Sequence, residues 1–331
     1  MKIKTLKKYA GGMALLTLLG LLPASCIKDD TAAVKETTLT LTFSTRASGD
    51  QGTTGPESAN EHMRTLRVIL TETDGTIRYN TKITGIPEEA TDQKVTFREL
   101  ITVEDGTTRF DVYAIANEEA FVTSEQLDAQ SGNISDMNLE SLTLNAAVLQ
   151  KLNQGLESDN QDKQEYRLPQ TAKAEVTVEP ERDNTATIQL EFVVAKVDLT
   201  FTNQSPQDIP LDDATFSSMD VSSTLLLPLE GREVSTNGND VVLNDIVVPG
   251  NGQFNETFYV YESQVGGNNS YVLSTTWGEG HSLNLTDGGL GTSFLRGTKL
   301  DVDVTINSRQ EVDLVFVVVP WDEVDADVSF Q

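Results

Sequence analysis

The chain has 331 residues, 51 acidic against 24 basic, a formal net charge of −27, and 38% hydrophobic residues. Four of the basic residues and none of the acids fall in the first 25 positions, so from Cys26 onward the balance is 20 against 51, a net of −31. Such a field repels nucleic acid and anionic lipid and excludes a nucleic-acid partner. The apolar fraction excludes wholesale disorder, and about 300 residues beyond the N-terminal segment suit two domains.

The N-terminus reads as an export signal. Lys2, Lys4, Lys7 and Lys8 form its positive end, followed by a 13-residue apolar run from Ala10 to Leu22. That run is short of the roughly 20 residues a membrane-spanning helix needs, and Gly11, Gly12, Gly20 and Pro23 weaken it as a core helix. It stops at Leu22-Pro23-Ala24-Ser25-Cys26, and Cys26 is the single cysteine of the chain. A lone thiol after small residues is placed for lipidation: residues 1–25 read as a lipoprotein signal peptide and Cys26 as the acylated mature N-terminus. Pro23 stands where most such signals carry leucine. Acyl chains, at roughly 0.8 kcal/mol per buried methylene, anchor such a protein to a membrane.

Beyond it the apolar positions alternate. Thr38 to Phe43 places Leu39, Leu41 and Phe43 on one face and threonines on the other, the period of a half-buried strand. Ser48 to Pro56 is a turn-rich stretch without an apolar anchor and reads as an exposed loop. Leu66 to Leu70 and Ile77 to Thr81 flank Asp74-Gly75, a hairpin turn. Val95 to Leu100 is a further strand, and Arg109 to Asn117 is so continuously apolar that it reads as central in its sheet. Short helices are expected at Ser124 to Leu127 and Ala146 to Leu152.

After a polar stretch from Glu157 to Glu165, strands return at Ala174 to Val178 and Thr185 to Phe201. The run Phe192 to Phe201 is long enough to pass from one domain into the next. Ser222 to Pro228, Val241 to Val248, Glu256 to Glu262, Tyr271 to Trp277, Lys299 to Ile306 and Val312 to Val319 complete an all-β pattern of short strands and frequent turns, the signature of β-sandwiches.

Chemistry finds little purchase. His62 and His281 stand apart and read as loop residues, which leaves no triad or histidine-rich metal site. The glycine-rich stretches Gly278 to Gly280 and Asp287 to Gly291 lack the lysine and helix of a phosphate loop. Asp208, Asp212 and Asp213, and Asp322, Glu323, Asp325 and Asp327, lack the spacing of a calcium loop and read as solvated acidic faces. Trp277 and Trp321 lie in or at the end of apolar strands and read as core. No enzyme, metal or cofactor is indicated.

Several separated blocks together resemble the fimbrillins, the pilus subunits of Bacteroidales. They are Lys28-Asp29-Asp30 after the cysteine, Leu66 to Leu70 with Asp74-Gly75, Asp111 to Asn117, Ala195 to Leu199, Phe258 to Glu262, Arg296 to Leu300 and Val319 to Asp322. Lys28-Asp29-Asp30 also resembles the acidic signal that sends Bacteroidetes lipoproteins to the outer face of the outer membrane. The resemblance implies two tandem transthyretin-like β-sandwich domains, at 47–193 and 194–331, behind a lipid-anchored propeptide at 26–46. It further implies cleavage between Arg46 and Ala47 by an arginine-specific protease, loss of the first strand with Leu39, Leu41 and Phe43, and a polymer with other fimbrial subunits in which a neighbour's C-terminal strand fills the groove. The implied role is a structural, adhesive subunit of a cell-surface fimbria.

The physical logic stands by itself. A sandwich that loses an edge strand exposes an apolar trough and unpaired backbone groups, which a strand from another molecule relieves. Val315 to Val319, and Val324, Ala326, Val328 and Phe330, repeat the alternation of a donor; alternatively they complete the chain's own second sheet. Arg46 is either the processing site or a linker arginine. The competing function is a monomeric surface lipoprotein that binds a glycan or host protein through its loops.

Overall fold

The computed structural model describes residues 36–45, 58–88, 90, 92–98, 107–122, 127–157, 163–228, 231, 234–236, 238–275, 281–286, 290–307 and 312–320. The expected helix at 124–127 lies almost wholly outside them.

Among the described residues the first half holds eight strands, one α-helix and several short 3₁₀ turns. β1 (Thr38–Thr45), β2 (Thr65–Glu72), β3 (Ile77–Thr84), β4 (Asp92–Phe97), β5 (Thr108–Ala116), β6 (Thr143–Asn145), β7 (Gln170–Val178) and β8 (Asp183–Phe192) are joined by α1 (Ala146–Glu157) between β6 and β7. Seven form one sheet in the order β3-β2-β5-β7-β8-β1-β4. β7 and β8 pair only at Gln170↔Phe192 and Thr171↔Glu191. The sheet therefore folds on itself at that corner: one core joins Leu39, Leu41, Phe43, Val95, Phe97, Ile188 and Leu190 on one layer to Leu66, Val68, Leu70, Phe110, Val112, Val176 and Val178 on the other. β5 lies between β2 and β7, the central position its unbroken apolar run predicts.

The β2–β3 turn is built by Asp74-Gly75. Asp74 Oδ1 accepts from the Thr76 amide at 2.8 Å, and Gly75 takes φ +86°, a conformation costly for any residue with a Cβ. α1 runs five residues further at its C-terminal end than the sequence reading. Asn145 caps it by accepting from the amides of Ala147 and Val148 at 3.0 and 3.2 Å. Gly155 allows the helix to lie against Tyr166, since a Cβ there would sit 2.8 Å from the Tyr166 Cβ.

The second half holds β9 (Ala195–Asn203), β10 (Ile209–Asp220), β11 (Ser223–Leu225), β12 (Asn239–Val248), β13 (Gln253–Val260), β14 (Ser263–Gln264), β15 (Val272–Thr275), β16 (His281–Asn284), β17 (Ser293–Phe294), β18 (Thr298–Ile306) and β19 (Val312–Pro320). Two four-stranded sheets, β13-β9-β18-β19 and β12-β10-β15-β16, face one another across a core that includes Val197, Leu199, Phe201, Leu211, Phe216, Ile246, Leu273, Phe294, Val302 and Val304.

Three expectations are corrected. The run Phe192 to Phe201 is not one strand: the chain bends at Val193 and Val194, both fully buried, where the Val193 amide donates to Pro169 and the Val194 carbonyl accepts from Gly297. Only Ser223–Leu225 of Ser222 to Pro228 is a strand, because Leu226 and Leu227 turn inward with no exposed surface. His281 stands in strand β16 rather than in a loop, and β10 is an unread strand of 12 residues.

A third core lies between the two sandwiches. It gathers Ile69, Tyr113 and Ile115 from the outer face of the first sheet, Leu149 and Leu152 from α1, and Val221, Leu226, Leu227, Tyr259 and Tyr261 from the second half. Backbone pairing crosses the same seam, where β11 joins β6 at Ser223↔Asn145 through Leu225↔Thr143. Burying apolar side chains on both sides of the seam ties the halves together, and from Lys35 onward they form one compact unit.

Candidate functional site: the slot of the first strand

β1 is an interior strand, not the edge strand expected of it. It runs parallel to β8 from Thr38↔Asp183 to Thr45↔Leu190 and antiparallel to β4 from Leu39↔Phe97 to Ser44↔Asp92. Its alternation matches the burial: Leu39, Leu41 and Phe43 are 1%, 0% and 0% exposed, with the intervening threonines half-buried. At roughly 1.5–3 kcal/mol per fully buried side chain, these three hold the strand more firmly than any of its polar contacts. On the outer face the hydroxyls of Thr40 and Thr96 meet at 3.0 Å.

The entry end of β1 is tied to the turn before β8. The Thr38 amide donates to the Arg182 carbonyl at 2.9 Å, Thr38 Oγ1 donates to Asp183 Oδ1 at 2.8 Å, and Asn184 Nδ2 donates to the Thr38 carbonyl at 3.0 Å. Removing this strand would open a slot with unpaired backbone on both rims and three apolar pockets along its floor. A strand taken from a sheet edge would leave one rim only.

Arg46 and Ala47 follow β1 directly and lie outside the described residues, as do Cys26 and the candidate donors Val324, Ala326, Val328 and Phe330. From Ser58 the chain is firmly held. Asn60 Nδ2 donates to the Tyr259 hydroxyl at 3.1 Å, the Asn60 carbonyl accepts from the Leu168 amide at 2.7 Å, and the Glu61 carbonyl accepts from Gln170 Nε2 at 2.8 Å. Glu61 is wholly buried and meets Lys196 Nζ at 3.0 Å. The chain between β1 and Ser58 thus starts at one end of the slot and stops at a fixed point on the seam.

Buried charge concentrates along that seam and on the outer face of β2. Arg296 donates to Glu262 Oε1 from Nη2 at 2.7 Å, to Thr224 Oγ1 at 2.8 Å and to the Leu226 carbonyl at 3.0 Å, so one guanidinium ties β11 to the second sandwich. Arg67 forks onto Glu118 at 2.6 and 2.9 Å and reaches Asp128 at 2.7 Å. Burial alone would lower the Arg67 pKa, but hydrogen bonds to the two carboxylates reverse the sign and raise it. Burial likewise pushes down Lys299, and Asp198 and Asp301, each at 3.1 Å, overcome that and raise it. Burial lifts the Tyr259 phenol well above its usual range.

The blocks that carry the family resemblance therefore build the framework. Ala195 to Leu199, Phe258 to Glu262 and Arg296 to Leu300 supply Lys196, Tyr259, Glu262 and Arg296 to the seam. Sequence reasoning missed this role, although Arg67 amid an apolar run is a sign of a buried cation. Val312–Pro320 completes the chain's own sheet, paired with β18 from Thr298↔Pro320 to Ile306↔Val312. Trp277 and Trp321 lie outside the described residues. Among the described residues no group of three or more His, Cys, Asp or Glu is placed to hold a metal ion.

No family model matches the chain, and no curated protein matches it by sequence. Solved structures do. The tip fimbrial protein of Porphyromonas gingivalis, C-terminally truncated, superposes with a TM-score of 0.56 at 13% identity over 86% of this chain and 100% of its own. The fimbrilin of the same organism gives 0.52 at 12% identity over 88% and 100%. A fimbrial assembly protein of Parabacteroides distasonis gives 0.50 at 14% identity over 86% and 98%. The fold is that of Bacteroidales fimbrial proteins, shared over nearly the full length of each.

Proposed function

We propose that the chain is a structural subunit of a cell-surface fimbria, delivered to the outer membrane as a lipoprotein through Cys26 and assembled after cleavage between Arg46 and Ala47. In this reading residues 26–46 are a lipid-anchored propeptide, and 47–193 and 194–331 are the two sandwich domains of the mature subunit. The partners are other fimbrial subunits and an arginine-specific protease. One observation carries it: β1 is the segment next to Arg46, it contributes three fully buried side chains, and it fills a slot between two other strands. Its loss would leave a folded protein with one long unsatisfied groove, for which polymerisation is the natural relief. The likeness of fold to fimbrial proteins supports the same reading.

The test is to treat the full chain with an arginine-specific protease and follow both the mature N-terminus by mass spectrometry and assembly by electrophoresis under mild denaturation. The expected product begins at Ala47 and forms a ladder that collapses on boiling. Cutting at Arg64 or Arg78 in place of Arg46, or a product that begins at Ala47 and stays monomeric, would overturn the reading. The second result would favour a monomeric binding protein.

A further inference from the structure

β4 depends on β1 more than any other strand does. It ends its sheet, and β1 is its only ladder partner among the described residues. Without β1, β4 keeps its core-side contacts alone: Val95 and Phe97, both buried in the first core, with the Phe97 ring edge-on to Tyr79 at 4.7 Å between centroids. β8 is orphaned at the same time, since it otherwise meets β7 at a single corner. Both rims of the slot therefore lose nearly all their pairing together.

The two ladders are arranged so that these rims can pair with each other. β4 runs antiparallel to β1, and β1 runs parallel to β8, so β4 is antiparallel to β8, the commoner and slightly stronger pairing. Residues that face one another across β1 become partners. Thr96, opposite Thr40, would meet Thr185; Val95, opposite Leu41, would meet Ala186; Gln93, opposite Phe43, would meet Ile188. A sideways step in this register keeps side-chain parity, so Val95 and Phe97 stay on the core face while Lys94 and Thr96 stay in solvent. The connecting residues, 87–91 after the buried Ile86 and 98–107 before β5, have a contour several times the step of about 4.8 Å.

We infer that β4 steps sideways onto β8 when β1 is lost, so that the emptied subunit covers its own slot. This rests on the reading of β1 as a removable strand. The step carries Phe97 and Val95 into the places of Leu39 and Leu41, and Gln93 into that of Phe43. Glutamine underfills a pocket that held a fully buried ring, brings an amide that needs a partner, and the Tyr79 contact is given up. Pairing both rims places the stepped form above an open slot, and the misfit at Gln93 places it below any strand that fills all three pockets. It is a holding state. Because the step is unimolecular, it wins at low protein concentration and yields to a partner strand by mass action, which shields the open edges from indiscriminate pairing meanwhile.

Disulfide trapping distinguishes the two arrangements. In the uncut chain Thr96 and Thr185 flank Thr40 from opposite sides, which sets their Cα atoms about 10 Å apart, beyond the ~7 Å reach of a disulfide. After the step they are direct partners at about 5 Å. T96C/T185C chains are cut at Arg46, which removes Cys26 with β1, freed of the fragment in mild urea, returned to dilute buffer and oxidised; the uncut comparison carries C26S. A cross-linked monomer is expected in the cut chain, many-fold above the uncut one and independent of protein concentration, and it should assemble only once reductant is added. Q93F is expected to raise the trapped yield and to slow assembly several-fold. A fragment-free chain whose two thiols remain reactive overturns the step while leaving removal of β1 standing. Stronger trapping by T96C with T187C overturns the register. A fragment that cannot be separated from the cut chain overturns the reading of β1 as removable, and this inference with it.

Discussion

β1 and β19 are both alternating strands rich in aliphatic residues, yet the fold treats them in opposite ways. β1 is hydrogen-bonded along both sides and inserts Leu39, Leu41 and Phe43 into the first core. β19 is paired on one side only, to β18, and ends its sheet among the described residues, with Val315 and Val317 58% and 43% exposed. Strand propensity therefore says little about how firmly a strand is held. What holds β1 is the number of rims it satisfies and the depth of the pockets beneath it, and these make it the costlier of the two to lose.

The sharpest way to break this comparison is Phe43→Ala against Val317→Ala. The first removes a fully buried ring from the slot and is expected to lower stability by about 3–5 kcal/mol in denaturant unfolding. A loss near zero would mean that β1 does not hold the first sandwich together. Next comes amide hydrogen exchange: β1, with both rims paired, should exchange only through opening of the first sandwich, whereas outward-facing amides of β19 should exchange by local fraying, orders of magnitude faster. Equal protection in the two strands would contradict the difference drawn between them.

A smaller effect comes from pH. Lys299, on the strand that pairs with β19, has its pKa raised by Asp198 and Asp301 over the opposing pull of burial, and burial raises that of Tyr259. A group whose pKa is higher folded than unfolded contributes stability that is full below the unfolded value, about 10 for Tyr and 10.4 for Lys, and is lost as pH rises beyond it. Stability should therefore be flat through neutral pH and fall above pH ~10, with Lys299→Met flattening part of that fall. The least effect belongs to Val317→Ala, expected within about 0.5 kcal/mol of the parent because the side chain is exposed on a strand paired along one side.

Much of the first sandwich was legible from periodicity alone. Leu39, Leu41 and Phe43 alternate with threonine, Asp74-Gly75 makes the turn it suggests, and Asp111 to Ala116 is the buried centre its composition implies. β10 escaped notice because Pro210, Asp212 and Asp213 interrupt its alternation and a bulge between Phe216 and Asp220, with Ser218 at φ +63°, shifts its register. The break at Val193-Val194 escaped for the opposite reason: an unbroken apolar run looks the same whether it passes straight through a sheet or turns within a buried seam.

The sequence by itself determined that the chain is built of strands, that its cations are scarce, and that one alternating segment precedes an arginine in a turn-rich stretch. These are local matters of side-chain period, charge and turn chemistry. Only the tertiary structure decided that β1 is interior, that β11 crosses to β6, and that Glu61, Lys196, Glu262 and Arg296 meet inside the seam. Strand neighbours and buried partners are set by which distant segments exclude water together, and for Lys196 and Glu61 those segments lie 135 residues apart.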